Sequence, residues 1–194
     1  MATALEREAT TRRWRRVEYE RLVDLGLFVG ERLELLDGVL VVREPQGSPH
    51  AAIVEKVGLV LAAAFGGGWH ARRHSPLALG DFSEPEPDVA VVAGEPKDYI
   101  AAHPSTAALV VEVADSSLRL DRRFKAAIYA RAGLREYWIV NLVDRTVEVH
   151  REPQAPAGAA EDWSYGTIEA LRPPAQVTPL AAPERPIAVA DLLP

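Results

Sequence analysis

Two carboxylates and one lysine stand at positions where the sequence predicts chemistry. Asp88 opens the apolar run 87–92, and Glu112 lies inside the apolar run 108–114. Both runs are rich in valine and apolar at odd and even positions alike, which predicts strands buried on both faces. A carboxylate in such a strand loses its hydration, which costs several kcal/mol unless a cation or hydrogen-bond donors replace the water. Both acids therefore need a partner.

A helix follows the second run and carries the candidate partner, Lys125. Ser116 or Ser117 can cap a helix over residues 118–132, and Gly133 is placed to end it. Apolar residues at helical spacing predict a core face made of Leu120, Phe124, Ala127, Ile128 and Ala132. An adjacent stripe contains Asp121, Lys125 and Tyr129. Its first turns can lie over the end of the second strand, where Lys125 approaches Glu112.

Lysine itself is informative in this chain, because only Lys56, Lys97 and Lys125 among the 22 basic residues are lysines. Arginine does not release its proton, whereas a desolvated lysine can. A lysine at this position therefore suits a group that orients or deprotonates a water. Chance is an alternative explanation, because three lysines are few.

These residues resemble the signature of the PD-(D/E)XK nuclease superfamily. The match is to Pro87-Asp88 and then to Glu112-Val113-Ala114. It departs at Ala114, where the strict motif has lysine.

A longer pattern is similar to the Uma2 family of restriction-endonuclease-like proteins, in which the lysine is displaced onto the helix. The resemblance covers about residues 15–151 and includes the segments 33–38, 112–117 and 136–140, with His50, Asp121, Lys125, Tyr129 and Gly133. It implies one α/β domain over residues 1–194, with a restriction-endonuclease-like central mixed sheet flanked by helices. An N-terminal helix and a β-hairpin precede that sheet.

The site that this resemblance implies is a metal-dependent endonuclease centre acting on DNA. Asp88 and Glu112, with the backbone carbonyl of Val113, would hold one or two Mg²⁺ or Mn²⁺ ions, and Lys125 would orient and help deprotonate the attacking water. Asp121 and Tyr129 would position Lys125. Glu34 is a further candidate member, although a hairpin glutamate facing solvent is the alternative.

Two other interpretations stay open. The chain could be a non-catalytic nucleic-acid- or protein-binding relative of the nuclease fold, which Ala114 in place of lysine would fit. Alternatively, Glu112 and Lys125 could form a purely structural buried ion pair, with Asp88 capped by backbone amides.

Amino-acid composition limits which metal the protein could bind and where in the cell we expect it. The 194 residues contain no cysteine, so any metal site uses oxygen or imidazole ligands, which favours magnesium or manganese. We expect neither a signal peptide nor an apolar run long enough to span a bilayer, and therefore a cytoplasmic protein. A homodimer is compatible with the sequence.

Charge bears on the nucleic-acid partner. A net charge of −6 argues against a protein that coats nucleic acid non-specifically. The helix is locally basic, however, and Arg119, Arg122 and Arg123 could face a phosphate backbone. The alternative is an ordinary solvated face.

The remaining elements follow from local signals. We predict a helix over residues 17–25, a hairpin turning at Asp37-Gly38, and a helix from Ser48 to about residue 65. Further strands are expected over 69–75, 77–79, 135–141, 146–151 and 163–168. The pair 135–141 and 146–151 should have one exposed face. His50 lies in the first turn of the helix that begins at Ser48, where it could contact a phosphate or the outer shell of the site, or have an ordinary surface or capping role. His70 and His74 are expected on an edge strand rather than on a metal.

Overall fold

A computed structural model describes residues 11–43, 45–155 and 162–194. Its helices are α1 (Arg16–Asp24), α2 (Ser48–Phe65) and α3 (Ala126–Arg131), the last directly preceded by a π-helical turn, Leu120–Lys125. Its strands, in chain order, are β1 (Leu33–Leu36), β2 (Val39–Val42), β3 (Trp69–Arg73), β4 (Val89–Ala93), β5 (Leu109–Ala114), β6 (Glu136–Asn141), β7 (Thr146–Gln154), β8 (Ser164–Leu171), β9 (Gln176–Val177) and β10 (Ile187–Ala188).

Six strands form the central sheet in the order β3-β4-β5-β6-β7-β8. Every neighbouring pair is antiparallel except β5 and β6, whose parallel register places Glu112 opposite Ile139. A parallel pair needs a long crossover, and the helical segment 118–131 supplies it. The predicted α/β architecture with a mixed sheet is confirmed.

Each face of the sheet packs against a different set of helices, because successive side chains on a strand point to opposite faces. On β5, Val111 and Val113 join the core cluster that contains α2 and the C-terminal segment. Val110 and Ala114 join the cluster that contains α3. Glu112 has the same parity as Val110 and Ala114 and therefore faces the helix that carries Lys125.

The hairpin β1-β2 forms a separate two-stranded sheet beside the central one. Its turn has positive φ at both central residues, 50° at Asp37 and 81° at Gly38, which is the type I′ geometry that this dipeptide predicts. An isolated bridge between Leu35 and Glu84 ties the hairpin to the body. Tyr19 of α1 donates to the carbonyl of Leu33 at 2.8 Å, so the predicted N-terminal helix packs on this hairpin.

Helix α2 has the predicted bounds, but it contradicts the expectation that no apolar run is long enough to span a bilayer. Its 18 residues have a mean hydropathy of 1.3, so by length and composition it could cross a membrane. In the fold, however, its apolar stripe packs in the core against the sheet, through Ile53, Val54, Val57, Leu61 and Phe65. Alanines on the opposite side raise the hydropathy of this helix without being needed for that packing.

Other predictions at the level of elements are wrong. Residues 77–79 do not form a strand, because Leu79 makes only an isolated bridge to Ser83. The first five residues of β7 are buried on both sides, so the predicted exposed face of this hairpin is absent over that stretch. Phe124 is 41% exposed rather than in the core, because the π-helical turn rotates it away from the face that an α-helix would bury.

Candidate active site

Glu112 lies at the centre of a buried polar cluster on the α3 side of the sheet. It is 2% exposed, and its Oε1 accepts hydrogen bonds from the hydroxyl of Tyr129 at 2.6 Å and from Nζ of Lys125 at 3.0 Å. The backbone N–H of Asp88 donates to Oε2 at 3.3 Å. Strand pairing and the crossover helix thus fix both oxygens of this carboxylate.

Asp88 lies immediately before β4, opposite Glu112 on the neighbouring strand. Its Oδ2 accepts the backbone N–H of Val113 at 2.8 Å, and its Oδ1 accepts from Arg43 at 3.0 Å and from Gln46 at 3.2 Å. Burial would favour the protonated acid, but hydrogen bonds from His50 and other neighbours outweigh it and hold the pKa of Asp88 well below its usual range. Asp88 is therefore an anion at neutral pH.

The π-helical turn brings Lys125 to both glutamates of the cluster. Besides Glu112, its Nζ lies 3.2 Å from Oε2 of Glu34 on β1. Burial favours the neutral amine, but Glu112, Glu34 and Asp121 outweigh it and raise the pKa of Lys125 above its ordinary value. Lys125 is therefore protonated and positively charged at neutral pH, which disagrees with the expectation that it deprotonates a water.

Asp121 lies one turn before Lys125 and is 2% exposed. Its Oδ2 is buried without a hydrogen-bond partner among the described residues. Burial raises the pKa of Asp121 to about 6, and the nearby Lys125 opposes this shift. A buried carboxylate oxygen without a donor is costly and marks a place for a cation or an ordered water.

Burial also raises the pKa of Glu112, to about 8, with the charges of Asp88, Asp121 and Glu34 acting in the same direction and Lys125 against it. The crowding of carboxylates thus disfavours the charged form of Glu112 in the absence of a cation. A bound cation would relieve the same crowding.

The structure brings Asp88, Glu112 and Lys125 together, and Glu34 is buried with them rather than facing solvent. Arg43 and Gln46 were not among the predicted site residues, yet they contact Asp88 from the segment after β2. No spacing rule connects these residues to Asp88, because they approach it through the packing of the hairpin on the sheet.

His50 has the predicted alternative role beside the site, and His74, which was expected only on an edge strand, also contacts Asp88. Nε2 of His50 is 2.7 Å from the carbonyl of Val113 and 3.2 Å from Oδ2 of Asp88. Nδ1 of His74, the residue after β3, is 3.4 Å from Oδ1 of Asp88. His70 lies on β3 itself. Two histidines therefore flank the aspartate.

The predicted nucleic-acid-binding arginines divide into two groups. Arg119 and Arg123 are exposed and form no ion pair with any described residue. Arg122 instead makes a two-armed pair with the carboxylate of Glu148, at 2.7 and 2.9 Å. Arg122 is therefore already in an ion pair within this chain.

A pocket of about 500 Å³ opens onto this cluster and is lined by Glu34, Arg43, Asp88, Glu112, Asp121 and Lys125, among others. The oxygen donors and the unpartnered Oδ2 of Asp121 suit a hard divalent cation such as Mg²⁺ or Mn²⁺. Within the described ranges, no three or more histidine, aspartate or glutamate side chains are arranged to hold a metal by themselves. Water or backbone oxygens would have to complete the coordination of Asp88 and Glu112, as is usual for Mg²⁺.

Comparison with known proteins places this arrangement in a family. No curated protein matches the chain. A crystal structure of a putative nuclease belonging to DUF820 from Anabaena variabilis has 18% sequence identity and a TM-score of 0.66, covering 88% of this chain and 96% of that chain. This similarity shows a shared fold. The family model Uma2, described as "Putative restriction endonuclease", matches residues 16–190. The chain therefore belongs to the Uma2 family.

Proposed function

We propose that this protein is a metal-dependent endonuclease that hydrolyses phosphodiester bonds in DNA. The observation that carries the proposal is that Asp88, Glu112 and Lys125 meet at one pocket. The backbone N–H of Asp88 donates to Oε2 of Glu112 at 3.3 Å, and Nζ of Lys125 donates to Oε1 at 3.0 Å. The family description and the fold of the DUF820 nuclease support the coarser class of nuclease.

Asp88 and Glu112 are the residues that would hold the divalent cation. When bound, Mg²⁺ or Mn²⁺ supplies positive charge to the phosphate and increases the acidity of a water. Tyr129 fixes the orientation of Glu112 through its 2.6 Å hydrogen bond. The backbone N–H of Val113 does the same for Asp88 at 2.8 Å.

Lys125 supplies a fixed ammonium beside Glu112. Because its pKa is raised, we assign to it the holding of positive charge and the orientation of a water rather than the removal of a proton. The exposed guanidinium groups of Arg119 and Arg123 lie on the same helical segment and could contact the DNA backbone. A cytoplasmic location and DNA as the partner belong to the same proposal.

The non-catalytic alternative rests on one specific observation. Arg43, Gln46 and His50 already contact the carboxylate of Asp88, so this aspartate has a complete set of protein partners without a metal. In a non-catalytic binding protein with this fold, these contacts would be enough to stabilise the buried Asp88 without a metal.

Cleavage of supercoiled plasmid DNA with Mn²⁺ tests the proposal. Wild type should nick the plasmid, and Asp88→Asn and Lys125→Met should each lose activity by at least a hundredfold. Glu55→Gln is a matched control, because Glu55 is an exposed acid that pairs with Arg73 outside the pocket. Equal activity in Asp88→Asn and wild type, or no cleavage by folded wild type under any divalent ion, would refute the endonuclease assignment.

A further inference from the structure

We propose that Arg43 is a built-in cation which occupies the position of a second metal ion and limits the pocket to one divalent cation. This inference rests on the proposed metal-dependent function and decides between the one or two ions that the resemblance allows. It concerns a residue that neither the motif nor its spacing identifies.

The guanidinium of Arg43 lies between two buried carboxylates. Its Nε is 2.9 Å from Oε1 of Glu34, and its Nη2 is 3.0 Å from Oδ1 of Asp88. Nη1 donates to the carbonyl of Glu86 at 2.8 Å. The side chain is only 11% exposed, so solvent screens these contacts little. The planar fork of arginine donates in three directions at once, which a lysine could not reproduce.

This position is where a second ion shared by Glu34 and Asp88 would have to bind. Lys125 already occupies the other side of Glu34, at 3.2 Å from Oε2. In the described structure, the position between Glu34 and Asp88 where one ion could contact both carboxylates is therefore occupied by Arg43. Among the described carboxylates of the pocket, the buried oxygens without a hydrogen-bond partner are Oε2 of Glu34, beside which Lys125 lies, and Oδ2 of Asp121.

Charge counting leads to the same number. Glu34, Asp88, Glu112 and Asp121 are each 2% exposed and together carry four negative charges when ionised. Lys125 and Arg43 supply two positive charges. For these six groups one divalent cation completes the balance, and a second would leave an excess of positive charge that Glu86, 3.5 Å from Nη1 of Arg43, could only partly offset.

The competing explanation is that Arg43 only holds Asp88 in place for the metal. The two explanations predict opposite signs for one measurement. If Arg43 takes the place of an ion, its removal frees Oδ1 of Asp88 and leaves a more negative pocket, so cations bind more tightly. If Arg43 only positions Asp88, its removal weakens cation binding.

Counting bound Mn²⁺ by equilibrium dialysis with electron paramagnetic resonance detection of the free ion tests this inference. His50 and His74 also contact Asp88, so all variants are counted at the same pH. Wild type should bind one ion per chain. Arg43→Gln should bind a second ion or bind the first at least tenfold more tightly, and Arg43→Lys should stay at one. Arg151→Gln is the matched control, because Arg151 pairs with the buried Glu136 outside the pocket.

Two ions in wild type, lost together in Asp88→Asn, would overturn this inference and leave the proposed function standing. Weaker binding in folded Arg43→Gln would overturn it as well. No bound ion in wild type would refute both the metal dependence and this inference. If Arg43→Gln does not fold, Arg43→Met, which keeps the aliphatic stem and removes the charge, takes its place in the same count with the same expected and contradicting results.

Discussion

At the scale of single residues, the site consists of charged side chains whose burial carries a large desolvation cost. Glu112 accepts from Lys125 and Tyr129, yet burial raises its pKa to about 8. Asp88 stays ionised because His50, Arg43 and a backbone N–H donate to it. Two acids on adjacent strands thus have opposite pKa shifts, which is a frequent property of functional sites.

The raised pKa of Glu112 predicts a pH-dependent stability in the absence of metal. The folded state holds this proton more tightly than the unfolded chain, so the contribution is full below about pH 4.5 and is lost as pH rises through about 8. Between these limits the free energy of unfolding of wild type should fall with pH. In Glu112→Gln this dependence should be shallower by up to about 1.4 kcal/mol per pH unit.

Urea unfolding of both proteins at pH 5, 6, 7 and 8 measures this difference. Burial also raises the pKa of Glu84 to about 8 and that of Asp121 to about 6, and these groups contribute in both proteins. Identical slopes for wild type and Glu112→Gln would show that Glu112 is ionised throughout the folded state.

At the scale of elements, local signals predicted most helices and the hairpin. Asp37-Gly38 favours a type I′ turn, and the observed φ values of 50° and 81° agree. Ser48-Pro49 opens α2 as expected, although Gly47 is the residue at its N-cap. These features depend on neighbouring residues and can be inferred from sequence.

The π-helical turn Leu120–Lys125 could not be predicted in the same way. Helical periodicity assumes about 3.6 residues per turn, and a wider turn changes which side chains face the core. Lys125 still reaches Glu112, but Phe124 becomes 41% exposed. Such turns occur frequently at functional sites, and this one carries Asp121 and Lys125 into the pocket.

This turn predicts that Phe124 contributes little to stability in spite of its position in the sequence pattern. Phe124→Ala should lower the free energy of unfolding by less than about 1 kcal/mol. Ile128→Ala is the matched comparison, because Ile128 is 3% exposed in the same helix and should cost about 2 to 5 kcal/mol. Denaturant unfolding gives both values. Equal large losses would mean that Phe124 packs in the core, as a regular α-helix would place it.

At the scale of the whole molecule, the pocket is built from parts that are distant in the chain. The hairpin contributes Glu34, the segment after it Arg43, the sheet Asp88 and Glu112, and the crossover helix Lys125. The two acidic strands and the helix could be predicted as one unit because they follow one another in the sequence. The place of Arg43 could not, since it depends on how the hairpin packs against the central sheet.

The central claim is that Asp88 and Glu112 together bind a divalent cation, and calorimetric titration of Mg²⁺ or Mn²⁺ into wild type and Glu112→Gln tests it most directly. Glutamine keeps the size of Glu112 and its acceptor for Tyr129 but removes the negative charge. We expect millimolar-range binding in wild type and at least tenfold weaker binding in folded Glu112→Gln. Equal affinity in the two proteins would contradict the claim, because the ion would then bind elsewhere.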